Sequence, residues 1–241
     1  MTDSSVMKYL KPDSYFWYAR LIPTAITIIP LFLFHYFYSD EEFRSFINTL
    51  LGINLIAILP ISLAFLIACI EVNRFLSKVL VEGIYFRGHY HLPTTVLLLH
   101  SNDRLSDDFK QLVRNQIKRE FKITLPSEEE ELANQHKARR CIADAVKLVR
   151  EKVKHGRLLA QYNRSYGCAR NLIGGSLIAL PIALFEIYFF QSIQPNQIAV
   201  VLAIVLSILY LTLLLCSYNI MRNYGYDYAE RLFTEYVSMK S

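Results

Sequence analysis

The chain has 241 residues, of which 53% are hydrophobic and 20% are charged, and its formal net charge is +5. The charged residues are concentrated in the middle of the chain, whereas a soluble globular domain spreads them over its whole surface. This segregation excludes an ordinary soluble domain. The modest basic excess is explained by anionic lipid headgroups, without a nucleic-acid partner.

Four long apolar segments predict membrane-spanning helices. They run from Phe16 to Tyr38, Phe46 to Ile70, Leu172 to Phe190 and Ile198 to Met221. Each is close to the roughly 20 residues that cross a bilayer core, where a helix satisfies its backbone hydrogen bonds internally. We therefore predict an all-α membrane protein in which two transmembrane helical hairpins, 16–70 and 172–221, flank a mainly helical cytoplasmic domain, 71–171. Residues 222–241 are predicted to be a cytoplasmic tail.

The basic residues predict the orientation of the spans. Nineteen Lys and Arg residues lie between Arg74 and Arg170, whereas the two short loops within the hairpins carry only Arg44. The positive-inside rule therefore places both termini and the middle segment in the cytoplasm. The first ten residues lack the basic start and cleavage site of a secretory signal, so we expect no removable leader. Reducing surroundings make a disulfide framework improbable.

Polar and small residues distinguish the last two predicted spans. One face of each carries small side chains, Gly175, Ala179 and Ala183 in the third and Ala199, Ala203 and Ser207 in the fourth. Such faces let backbones approach closely in lipid, which predicts a tight antiparallel pair. Glu186 falls in the outer part of the third span, where we expect its carboxylate to reach the interface by snorkelling.

The middle segment predicts a small helical domain. Val72 to Phe86 continues the second span, Ser106 caps one helix, and Ser127 with Glu130 forms a capping box for another. The stretch from Leu92 to Leu99 is predicted to be extended because it is rich in Thr and Val. An apolar stripe on the second helix needs a partner, most simply the preceding helix. The stripe consists of Ala138, Cys141, Ile142, Ala145, Val146, Val149 and Val153.

The most distinctive polar stretch immediately precedes the third span. Its candidate ligand or intersubunit contact residues are Tyr162, Asn163, Arg164, Tyr166, Arg170 and Asn171. A guanidinium presents a planar fork of donors to a phosphate or carboxylate, and the two tyrosines can flank a base. The interpretation that we favour from the sequence is interfacial anchoring, because aromatic and basic residues gather where lipid meets water. A polar contact between subunits or domains is an alternative.

Motifs of catalysis are absent from the sequence. There is no Walker loop, Gly-x-Ser-x-Gly elbow or dinucleotide fingerprint, and no cysteine follows His89 and His91 at the spacing of a zinc site. We therefore predict that the protein is not an enzyme and has neither a cofactor nor a metal site.

Three strings carry a resemblance to known proteins. They are Leu92-Pro93-Thr94-Thr95 before an apolar run, Leu125-Pro126 before an acidic helix start, and Asn163 to Asn171 leading into Gly174. In these strings the chain resembles a group of uncharacterised bacterial membrane proteins, which implies a bacterial inner-membrane origin. The layout of paired spans around a cytoplasmic helical module also looks like small membrane effectors and sensors of anti-phage defence. That analogy assigns no role to any residue.

Three functions fit this architecture. The first is a homo-oligomeric inner-membrane effector or sensor, in which cytoplasmic helices receive a signal and the spans respond, for instance by opening an ion-conducting pore in antiviral defence. The second is a membrane scaffold that anchors a cytoplasmic partner protein, and the third is a small transporter. The lipid bilayer is the first expected partner. A nucleotide or nucleic-acid signal stays open, although no motif supports one.

Overall fold

The computed structural model describes residues 14–38, 55–86, 89–154 and 156–239, and within them the chain is helical without strands. The helices are α1 (Ser14–Phe16), α2 (Ile22–Thr27), α3 (Ile29–Phe37), α4 (Leu55–Leu76), α5 (Glu82–Phe86), α6 (Pro93–Val96), α7 (Asp107–Phe121), α8 (Glu128–Ala133), α9 (Gln135–Val153), α10 (Arg157–Tyr188), α11 (Gln197–Leu215) and α12 (Ser217–Ser238). Single π-helical turns occupy Trp17–Leu21, Ser77–Val81 and Phe189–Ile193, and a 3-10 turn occupies His89–His91.

The chain divides into two units. The apolar unit contains the described residues within 16–81 and 170–217. The polar unit contains the described residues within 1–15, 82–169 and 218–241.

Three helical segments are long and apolar enough to cross a bilayer, namely Ser14–Phe37, Arg157–Ile193 and Gln197–Leu215. They support the prediction of a membrane protein with transmembrane helices. Helix α4 covers the second predicted span from Leu55 onward. The beginning of that span, the loop with Arg44 and the first ten residues lie outside the described residues.

The small residues of the apolar unit are buried where its helices pack. Ala179 and Ala183 of α10 share one buried cluster with Tyr210 of α11, and Phe190 in the turn after α10 shares another with Ala199, so the two helices run antiparallel. Closer to the start of α10, a Cβ added to Gly175 would lie 2.6 Å from the side chain of Thr27. A Cβ added to Gly174 would lie 2.6 Å from the Cα of Ser77. The small face of α10 therefore receives α2 and the turn after α4 as well as α11.

The core of the polar unit forms around the apolar stripe of α9. The stripe is buried as predicted apart from Cys141, which is half-buried, and it packs against Val113 and Ile117 of α7. Helix α12 adds residues that the sequence prediction leaves in a tail, namely Ala229, Leu232, Phe233 and Tyr236. The C-terminal segment is therefore part of the core.

Helix ends follow the predicted caps, with one addition. The Ser106 side chain accepts from Phe109 N, and Ser127 and Glu130 form the capping box. Asn134 has φ −152° and accepts a hydrogen bond from Lys137 N at 2.9 Å, so it ends α8 and caps α9. The predicted second helix is consequently two helices.

The prediction of an extended segment from Leu92 to Leu99 is wrong. Leu92 alone has extended backbone, and Pro93 starts the short helix α6. A proline fits the first helical turn because its fixed φ is helical and its missing N–H would have no partner there. Leu97, Leu98 and Leu99 then enter the core of the polar unit.

Candidate functional site: a cationic cleft in the polar unit

An open cleft of about 450 Å³ lies in the polar unit. Eleven residues line it: Ser14, Tyr15, Lys147, Arg150, Glu151, Lys154, Leu159, Ala160, Asn163, Arg164 and Tyr228. Four of these side chains are cationic and one is anionic. The lining is therefore suited to an anion.

One wall of the cleft is a single face of α9. Lys147, Arg150, Glu151 and Lys154 stand at positions i, i+3, i+4 and i+7, which places them on the same side of a helix. The opposite, apolar face of α9 is held in the core by Val146, Val149 and Val153. The core thus fixes the direction in which the charged face points.

Both lysines in the cleft have acidic partners on the same helix. Lys147 Nζ lies 2.8 Å from Asp144 Oδ1, and Lys154 pairs with Glu151. The hydrogen bond and charge of Lys147 hold the pKa of Asp144 below its usual value. These exposed pairs partly neutralise the rim of the cleft.

The two arginines differ from the lysines because their partners are uncharged. Arg150 Nη2 donates to Thr94 Oγ1 at 2.9 Å, and Arg164 Nη1 donates to Ser14 Oγ at 2.9 Å. Within the described part of the chain, neither guanidinium pairs with a carboxylate. Arg150 Nε is also buried without a hydrogen-bond partner there. Two guanidinium charges are therefore left uncompensated beside one cleft.

Aromatic rings support the arginine side of the cleft. The Arg150 guanidinium lies 5.8 Å from the centre of the Tyr228 ring, which stacks on Tyr166 with centroids 6.3 Å apart. Burial raises the pKa of Tyr228, although the Arg150 charge opposes the shift. The ring consequently stays neutral at physiological pH and offers a cation–π surface to Arg150.

The predicted polar stretch is divided between the two units. Asn163 and Arg164 line the cleft, and Tyr166 lies behind Tyr228 and donates to Glu82 at 3.2 Å. Tyr162 is 39% exposed and does not line the cleft. Arg170 and Asn171 belong to the apolar unit, where the Asn171 amide donates to the carbonyl oxygen of Ala19.

Several cleft residues are missing from the sequence prediction. The spacing of Lys147, Arg150 and Lys154 is a usable signal, since it predicts one cationic face opposite an apolar stripe. Ser14 and Tyr228 have no such signal because they come from distant parts of the chain.

No family model matches this chain, and neither curated proteins nor solved structures yield a match.

Proposed function

We propose that this protein is a membrane sensor that binds a phosphate-bearing anion in the cationic cleft and passes the signal to its spans. The observation that carries the proposal is the pair of guanidinium groups, Arg150 and Arg164, that face one cleft with neutral hydroxyl partners. Arginine and phosphate match in geometry and form strong charge-assisted hydrogen bonds. A ligand phosphate would supply the missing negative charge.

The course of the chain supports transmission of the signal. The chain passes between the two units at residues 15–16, 81–82, 169–170 and 217–218, and the backbone is helical at each place. A helix carries a displacement along its axis better than a flexible linker does. Binding in the cleft, which α10 helps to line, is therefore proposed to alter the packing of the spans.

The membrane arrangement is proposed to have four spans in two hairpins. Helix α4 would complete the first hairpin with the segment Ser14–Phe37, and the basic polar unit and both termini would be cytoplasmic in a bacterial inner membrane. We further propose a homo-oligomer, because several copies are needed to enclose an axial pore from spans of this kind.

Ligand binding is tested with the purified full chain in detergent. Inorganic pyrophosphate should raise its unfolding temperature, since a ligand at 100 times its dissociation constant stabilises by about 2.7 kcal/mol. Arg150→Gln and Arg164→Gln should abolish most of the shift. Arg140→Gln is the matched control, because Arg140 is an exposed cation on α9 outside the cleft.

A second arm identifies the source of the phosphate. If flotation with vesicles containing phosphatidylglycerol requires Arg150 and Arg164 while pyrophosphate has no effect, the ligand is a lipid headgroup. Absence of both effects would refute an anion site. Capture of a soluble protein with no anion binding would favour the scaffold.

The response of the spans is tested in liposomes that contain the protein and a trapped potassium gradient. Addition of the anion that stabilises the protein should dissipate the gradient for the wild type and Arg140→Gln. It should leave the gradient intact for Arg150→Gln. An intact gradient with a saturated wild-type cleft would exclude a pore.

A further inference from the structure

Glu186 is an acidic residue in the interior of the apolar unit. Its side chain is 0% exposed, and neither carboxyl oxygen makes a hydrogen bond of normal geometry, although the backbone N–H of Phe34 is near. The expectation that Glu186 snorkels to the interface is therefore wrong. Its carboxyl group points into the helix packing, where it is shielded from water.

A second unpartnered polar group lies at the same level of the helix pair. In the chain, Glu186 lies between Ala183 of α10 and Phe190 in the turn that follows, and these two share buried clusters with Tyr210 and Ala199 of α11, respectively. Ser207 lies between those two contacts on α11, is 7% exposed, and its hydroxyl also lacks a partner among the described residues. The antiparallel register thus places a buried carboxyl and a buried hydroxyl at a similar level of the helix pair.

Among the residues that the structure describes, no cation faces Glu186. Tyr210 interacts with it electrostatically, but the Tyr210 hydroxyl donates to the Ile26 carbonyl at 2.8 Å. His35 on the neighbouring α3 is exposed. An ionised carboxylate buried without a cation or hydrogen bonds is costly, and such a group takes up a proton instead.

We propose that Glu186 is a proton-binding site of the membrane-spanning unit, occupied while α10 and α11 are packed together. The carboxyl oxygen holds the proton in the packed state and releases it to water when the helix pair opens. The proton and helix packing are then linked, since each favours the other. This inference is independent of anion binding in the cleft.

The proton is detected directly by infrared spectroscopy of the full chain in lipid nanodiscs. At neutral pH the wild type should show the carbonyl stretch of a protonated carboxylic acid, and Glu186→Gln should lack it. Glu71→Gln is the matched control, because Glu71 in the same unit is partly exposed and lies 3.1 Å from Arg74. An unchanged band in Glu186→Gln would overturn the proposal. So would loss of the wild-type band on adding sodium chloride at constant pH, which would indicate a metal cation.

The linkage has its own readout, which uses the wild type as well as the variant. Because the packed state favours the neutral form, packing should be strongest at low pH and should weaken as pH rises. Over the pH range in which the carboxyl is protonated in the packed state but ionised in the open state, the packing equilibrium should fall by about tenfold per pH unit, which is the slope for one proton. With the native cysteines replaced by serine, the rate of disulfide trapping between cysteines introduced at Ile182 and Leu206 reports how closely the two helices pack. Thiolate formation raises this rate with pH in every variant, so the readout is the ratio of the rate with Glu186 to the rate with Glu186→Gln. This ratio should fall as pH rises, and a ratio independent of pH would contradict the linkage.

Discussion

At the residue scale, Glu131 illustrates how one buried carboxylate organises a loop. It accepts hydrogen bonds from the backbone N–H groups of His100 and Ser101 at 2.8 and 3.3 Å and from the Ser101 hydroxyl at 2.6 Å. Burial alone would raise the pKa of Glu131, but these hydrogen bonds outweigh it, and the pKa lies below its usual value. The charged form therefore stabilises the fold of the polar unit.

The sign of the resulting pH dependence follows from that lowered pKa. The contribution of Glu131 is fully present above pH 4.5, the ordinary value, and is lost as pH falls through the lower folded value. Glu131→Gln should destabilise the polar unit by about 1 to 3 kcal/mol and flatten its acid dependence. Hydrogen exchange of the segment 97–101 in the full chain measures this change. Glu129→Gln, an exposed carboxyl on the same helix, should leave the exchange unaltered.

Two glycines in helices have opposite surroundings and provide a matched pair. A Cβ on Gly174 would lie 2.6 Å from the Ser77 backbone, whereas one on Gly83 would meet nothing within 4 Å. Gly174→Ala should therefore destabilise the protein by about 1 to 3 kcal/mol, as overpacking does, while Gly83→Ala should stabilise it by up to about 1 kcal/mol. Thermal unfolding in detergent compares them. Equal effects would mean that the backbones at Gly174 and Ser77 separate at no cost.

At the element scale, the way each helix ends accounts for much of the topology of the polar unit. Helix α7 ends at Phe121 and is followed by Lys122, which among the described non-glycine residues is the one with a positive φ, 58°. Its N–H donates to the Lys118 carbonyl at 3.1 Å, which closes the last turn before Leu125 enters the core. A left-handed residue at this place allows the sharp change of direction.

The left-handed conformation of Lys122 yields a test with an internal control. Lys122→Gly should raise the free energy of unfolding by about 0.5 to 1 kcal/mol, because the strain of an L-residue at positive φ is removed. Lys118→Gly changes the same residue type within the same helix and should lower it by about 1 kcal/mol. Chemical unfolding of the full chain measures both. Destabilisation by both variants would argue against a left-handed Lys122.

The elements also show what sequence reasoning can reach. Helices α7 and α9 were predictable because their apolar stripes and caps are local signals. Helix α12 has no clear sequence signal, because its buried face combines Gly225, Ala229 and Tyr236 with few aliphatic residues and its periodicity is weak. Helix α6 differs from the predicted extended segment because its Thr and Val residues favour strands by type, whereas burial of the adjoining leucines favours the helical turn.

At the scale of the whole molecule, the apolar segments predict a membrane protein far more reliably than they predict a site. The length of a span and its solvation by lipid depend on one segment of the chain at a time, so the sequence of that segment is enough to predict them. The cleft combines residues from 14–15, α9, α10 and α12, and no local pattern brings those segments together. By residue type Arg164 is a candidate anion ligand, whereas its place beside the same cleft as Arg150 follows only from the tertiary fold.

The proposed topology predicts which surfaces a membrane-impermeant maleimide can reach. With the native cysteines replaced by serine, Ser192→Cys in the turn after α10 should be labelled in intact cells. Lys137→Cys in the polar unit should be labelled only after the membrane is permeabilised. Both residues are exposed, so the side of the membrane, and not burial, decides the outcome. Labelling of Lys137→Cys from outside would invert the topology.

The composition of the polar unit's core has a consequence for biosynthesis. Ile142 and Val149 precede α10 and α11 in the chain, whereas Leu232 and Phe233 follow them. The ribosome must therefore synthesise both apolar helices before the core can close. Insertion of these helices into the bilayer would then precede completion of the domain. Until α12 has been synthesised, the apolar face of α9 with Val146, Val149 and Val153 is incompletely covered, and chaperones can bind it.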